Sequence, residues 1–98
     1  MSSPFAPLGP TVNIDVSSSS QNVLVDPDGG SSSVRVMNNG TATVWLAFGG
    51  SAVAAALTSG IPVGPGMCEV YGFDRNNYVA VIAAGATGKI YFTPGAGI

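Results

Sequence analysis

The chain has 98 residues, enough for one domain whose single core buries about 60% of the surface that the unfolded chain exposes. Only 8% of the residues are charged, against roughly 25% in an ordinary soluble domain, while the hydrophobic fraction of 46% is average. A net charge of −2, with Arg35, Arg75 and Lys89 as widely spaced cations, attracts neither a phosphate backbone nor an anionic bilayer, so neither nucleic acid nor a membrane is expected as a partner.

Residues 1–10 place Pro4, Pro7 and Pro10 at a spacing of three, with Phe5 and Leu8 one register on. In a polyproline II helix that spacing puts the rings on one ridge and an apolar pair beside it, which predicts an extended arm lying on another surface, its own or a neighbour's. The opening has neither the basic nor the apolar region of a secretory signal, so cytoplasmic synthesis is expected. No apolar run approaches the roughly 20 residues that a spanning helix needs.

From residue 11 the pattern has period two. Val12, Ile14 and Val16 alternate with polar residues, as in a half-buried strand. A serine run interrupts it, and a short strand over 22–25 runs into Asp26-Pro-Asp-Gly-Gly30, a turn by its proline and glycines. Residues 32–38 alternate again, with Val34 and Val36 on one face and Ser33, Arg35 and Met37 on the other. Asn39-Gly40 then predicts a hairpin returning through 43–48, where Val44, Leu46 and Phe48 share a face and Trp45 stands opposite with Ala47.

The alanine-rich stretch 52–57 is short and flanked by glycine, and reads as an irregular or short strand segment rather than a helix. Ile61-Pro-Val reads as an edge or loop piece, because proline cannot donate to a central ladder. Residues 67–73 form the next strand, with Cys68 and Val70 facing one way and Glu69, Tyr71 and Phe73 the other. Residues 78–84, apolar on both faces, read as a central strand covered from both sides. Residues 87–93 send Ile90 and Phe92 inward and Lys89 and Tyr91 outward. Glu69 and Lys89 are expected to pair across the sheet as a surface contact.

These elements give an all-β fold: an antiparallel β-sandwich or small jelly roll of about seven or eight short strands, comprising an arm over 1–10 and a single domain over 11–98. The chain has no histidine, the commonest general base and metal ligand, and this removes every Ser-His or Cys-His nucleophile pair. Five carboxylates remain as the material for a minimal hydrolase, the least favoured of the functions weighed. Asp26 and Asp28 resemble the start of a calcium loop, but the later ligands are missing and hydrogen bonding to their own turn explains them. Cys68, the only cysteine, reads as a small apolar strand residue. Asn39-Gly-Thr41 matches a glycosylation acceptor but is explained by the hairpin. No enzyme activity, cofactor or metal is expected.

With so few charges, the strand edges lack their usual protection, so contact with the arm or with other subunits is expected to cover them. The candidate contact residues are Pro4, Phe5, Pro7, Leu8, Trp45, Tyr71 and Tyr91, since aromatic side chains concentrate interface energy. A second reading is a carbohydrate- or receptor-binding module, in which Trp45 or Tyr71 stacks on a sugar while Asn76 and Asn77 bond its hydroxyls.

The succession Phe5-Ala-Pro-Leu-Gly-Pro10, Ser33-Val-Arg-Val-Met-Asn-Asn-Gly40, Val44-Trp-Leu-Ala-Phe-Gly49, Ile61-Pro-Val-Gly-Pro-Gly66 and Lys89-Ile-Tyr-Phe-Thr-Pro-Gly95 resembles a group of small β proteins encoded among tailed-bacteriophage structural genes. That resemblance implies a virion component, a head decoration or cement protein. Its partner would be the major capsid protein or another virion subunit, and it would act as a homo-oligomer. A head-to-tail or fibre-associated piece is the nearest variant.

Overall fold

A computed structural model of the chain describes residues 5–27, 30–73 and 76–97. The alternating segments become nine strands: β1 (Ala6–Pro7), β2 (Val12–Val16), β3 (Gln21–Leu24), β4 (Ser33–Asn38), β5 (Val44–Gly49), β6 (Ile61–Val63), β7 (Cys68–Gly72), β8 (Tyr78–Ile82) and β9 (Gly88–Ala96). One sheet runs β1-β9-β4-β7, with β2 also pairing β9; the other runs β3-β8-β5-β6. Every pairing is antiparallel. This order is that of a jelly roll, in which the chain passes repeatedly between two facing sheets.

The core is built mainly from β-branched residues on the two inner faces. Val34, Val36, Ile90 and Phe92 of the first sheet meet Val44, Leu46, Val79 and Val81 of the second, all at most 1% exposed. Valine and isoleucine suit this position because their restricted χ1 costs little in a strand and their branches fill the pleated surface. Phe73, just beyond β7, closes one end of the core, its ring edge-on to Phe48 at 5.4 Å.

The Asn39-Gly40 hairpin does not form. β4 pairs with β7 and β9, whereas β5 pairs with β6 and β8, so residues 39–43 carry the chain from one sheet to the other. The physical reason lies in what the corner packs against. Asn38 is fully buried; its Oδ1 accepts from Gly40 N, and its Nδ2 donates to the carbonyls of Ala42 and Val63. The Thr87 hydroxyl accepts from the backbone N–H groups of Thr41 and Ala42 at 2.8 and 2.7 Å. These bonds satisfy backbone groups that a two-residue hairpin would have paired between the strands.

Ile61-Pro-Val63 is the edge strand of its sheet and β8 is an inner strand, both as expected. Residues 50–60 contain no strand. They fold back onto the outer face of the second sheet, where Asn22 Nδ2 donates to the carbonyls of Ser51 and Val53 and the Ser20 hydroxyl accepts from Ala55 N. That cover explains why Ala80, which shares the outward register of Asn22 and Ala47, is fully buried.

The start of the chain lies along an edge of its own sheet, as a short β-strand rather than a polyproline II helix. Ala6 and Pro7 pair with Ala96 and Gly95, and Leu8 N donates to the Pro94 carbonyl at 2.9 Å. β2 continues along the same edge of β9 from Val12↔Phe92, so four residues, 8–11, stand opposite two, Thr93 and Pro94. The edge therefore bulges there, a device that interrupts a free edge.

Candidate functional site

The sequence-derived contact residues do not converge. Pro4 lies outside the described residues. Phe5 is half-buried, its ring close to Gly95, where a Cβ would come within 2.6 Å of it. Pro7 is exposed on β1, and Leu8 projects from the bulge with 64% of its surface exposed, so the two apolar side chains of the arm do not share one buried side. Trp45 is half-buried on the outer face of the second sheet, between Pro62 and Ile82. Tyr91 is half-buried on the outer face of the first sheet. Tyr71 turns toward the other sheet at the β7 edge, in the register of Val34, with its ring 6.2 Å from that of Phe48.

Tyr71 donates its hydroxyl proton to Glu69 Oε2 at 2.7 Å. Partial burial, with the hydrogen bond to Glu69 and its negative charge adding to it, pushes the phenol up to about 12. Glu69 therefore does not meet Lys89. The two side chains are on opposite faces of the sheet, Glu69 in register with Val36 and Lys89 in register with Asp15. Lys89 instead pairs with Asp15 at 3.2 Å, in an exposed contact of little energetic weight. Ser33 shares the face of Arg35 and Met37, as expected, but is buried at 3% exposure, beside Gly72 and Gly95.

Of the groups expected around a sugar, Asn76 donates its backbone N–H to the Phe73 carbonyl at 3.0 Å. Asn77 is committed to the chain itself: its side-chain amide donates to the Asp26 carbonyl, and its own carbonyl accepts from Val25 and Asp26. Asp26 Oδ2 accepts from Ser31 N at 2.7 Å, the turn role expected of it, while Asp28 lies outside the described residues. Among the described residues no cluster of His, Cys, Asp and Glu could hold a metal ion, and no helix is long and apolar enough to cross a membrane. Cys68 is in a strand, as expected, but exposed, and Arg35 Nε donates to its sulfur at 3.3 Å. This contact holds the Arg35 guanidinium above its ordinary range, so it is cationic at every accessible pH.

What the fold does assemble is a shallow concavity of about 430 Å³ on the outer face of the first sheet, lined by Thr11, Arg35, Met37, Asn39, Tyr91 and Thr93. Of these, only Tyr91 was marked by the sequence as a contact residue. The outward alternation of Arg35 with Met37 was legible. Their meeting with Thr11 and Thr93 depends on β9 lying between β2 and β4, which no local signal carries.

No protein-family model matches the chain, and no curated protein sequence does. Solved structures share the fold at low identity. A protein of the Bacillus endospore appendages, a family of disulfide-linked pili, is 14% identical with a TM-score of 0.52, over 96% of this chain and 92% of that one. A de novo designed double-stranded β-helix is 11% identical with a TM-score of 0.50, over 89% of this chain and 99% of that one. PirA is 16% identical with a TM-score of 0.51, over 86% and 92%. At these identities the likeness concerns architecture, and it agrees with the double-sheet topology.

Proposed function

We propose that the chain is a non-enzymatic structural subunit of a bacteriophage virion, a decoration or cement protein that binds the capsid lattice and acts by contact alone. The observation that carries this reading is the edge strand β7. Among the described residues it has one open side, and it carries no lysine, no proline and a single carboxylate, Glu69, which is engaged by Tyr71. Such an edge presents backbone donors and acceptors without the charges that ordinarily discourage pairing with another chain.

Three further features support assembly as the role. The surface is nearly free of charge, Leu8 projects from the bulged edge, and the same architecture occurs in an appendage protein that forms pili. The residues quoted above for the phage resemblance supply the capsid as partner, with the arm as a second point of attachment. Two weak contacts on one subunit, repeated over a lattice, give tight attachment through effective concentration.

The test is co-expression with the major capsid protein of the same source, followed by gradient sedimentation. The chain should travel with assembled heads. Cys68→Lys and Val70→Lys, which place charge along the β7 edge, should lower its occupancy while leaving the monomer folded. A wild-type chain that remains at the top of the gradient contradicts the reading.

A further inference from the structure

We infer that the concavity on the outer face of the first sheet is a binding subsite for a carboxylate-bearing sugar, a hexuronic acid unit of an acidic polysaccharide. The inference concerns a different face from β7's open edge and stands whether or not the chain decorates a capsid.

The argument begins with charge. Lys89 on this face is paired with Asp15, whereas among the described residues Arg35 forms no ion pair. Its Nε donates to Cys68 Sγ, which leaves both terminal nitrogens to take a carboxylate end-on. One unneutralised cation matches a monoanion; a phosphate dianion would call for more.

The rest of the lining suits a polyol ring. Thr11 and Thr93 share a 2.7 Å hydrogen bond between their hydroxyls, in which one hydrogen is used and the other remains for a ligand. Asn39 adds an amide at the rim. Tyr91 and Met37, the latter 42% exposed, supply an apolar plate against which the C–H face of a sugar lies. The volume of about 430 Å³ admits a single sugar unit with room to spare.

The backbone argues against a peptide. At Tyr91, β9 is paired on one side with Asn13 of β2 and on the other with Met37 of β4, so this part of the floor has no free ladder groups for an added strand. Recognition there is by side chains alone, which favours a compact ligand bearing hydroxyls and a carboxylate.

The experiment is an NMR titration of the full ¹⁵N-labelled chain with three probes: a glucuronic acid trisaccharide, a neutral glucose trisaccharide and a glutamate-rich peptide. Saturable shifts confined to the amides of Thr11, Arg35, Met37, Asn39, Tyr91 and Thr93 are expected with the uronate, about tenfold or more weaker with the neutral sugar. Arg35→Gln should weaken uronate binding by a similar factor while the remaining spectrum stays dispersed, and Cys68→Ser, which keeps a hydrogen-bond acceptor beside Arg35, should retain most of it. Absence of saturable shifts, equal binding of the neutral sugar, or equal binding of the peptide at the same amides overturns the inference.

Discussion

The side-chain amide of Asn38, at the end of β4, donates to the carbonyl of Val63, at the end of β6, at 2.9 Å, and so ties one sheet of the sandwich to the other through a fully buried polar group. The same nitrogen donates to Ala42 O at 3.0 Å, and Oδ1 accepts from Gly40 N at 2.9 Å. Removing the amide strands two carbonyls and one N–H. Asn38→Ala is expected to lower stability by about 3 kcal/mol, read as a shift in urea midpoint with an unchanged slope.

Gly40 is required at the same corner for a steric reason. A Cβ there would lie 2.5 Å from the Thr87 carbonyl oxygen, backbone that cannot move without disturbing the Thr41 and Ala42 bonds. Gly40→Ala should cost about 2 kcal/mol or more. Gly72 on β7 has nothing within 4 Å of its Cβ position, so Gly72→Ala should be neutral or stabilise by about 0.5 kcal/mol. Paired thermal melts of the two variants distinguish a packing requirement from a general effect of replacing glycine.

The arm depends on Gly95. A Cβ at that position would come within 2.4 Å of Ala6 O and 2.6 Å of the Phe5 ring. Gly95→Ala should displace β1 and leave β2 in place. Hydrogen exchange reads this directly: the Leu8 amide, bonded to Pro94 O, should lose protection while those of the β2–β9 ladder keep theirs.

Cys68 is exposed on β7, so Ellman's reagent should titrate one thiol per native chain without denaturant. A thiol that reacts only after unfolding would place it in the core instead.

Tyr71 makes stability fall in alkali. Its phenol is raised from 10.0 to about 12 by partial burial and by Glu69, so the unfolded chain releases this proton at a lower pH than the native one. The contribution is complete below pH 10 and is lost as pH rises to about 12. Tyr71→Phe should flatten that part of the stability profile, measured by urea denaturation at a series of pH values.

The strands were legible because period-two alternation is a local property: Val34 and Val36 against Arg35 and Met37, or Ile90 and Phe92 against Lys89 and Tyr91, point as the sequence pattern says. Strand partners were not legible. Asn39-Gly40 carries the composition of a tight hairpin, and what turns it into a corner between sheets is Val63 and Thr87, distant in sequence. The expected Glu69–Lys89 pair failed for a related reason. Lys89 faces outward as expected, but Glu69, also expected outward, lies in register with inward-facing Val36, and β4 stands between β7 and β9. The outer-face concavity depends on the same adjacency, which is why Tyr91 stood out in the sequence and its neighbours Thr11 and Thr93 did not.

The central claim, that the chain functions as a repeated contact subunit of a capsid, is tested most directly by its copy number in particles. Quantitative mass spectrometry of gradient-purified virions from the source that encodes it should find the chain at a fixed ratio to the major capsid protein, set by the lattice symmetry and unchanged between preparations. Its absence from such particles, or a trace amount that varies between preparations, would contradict the account.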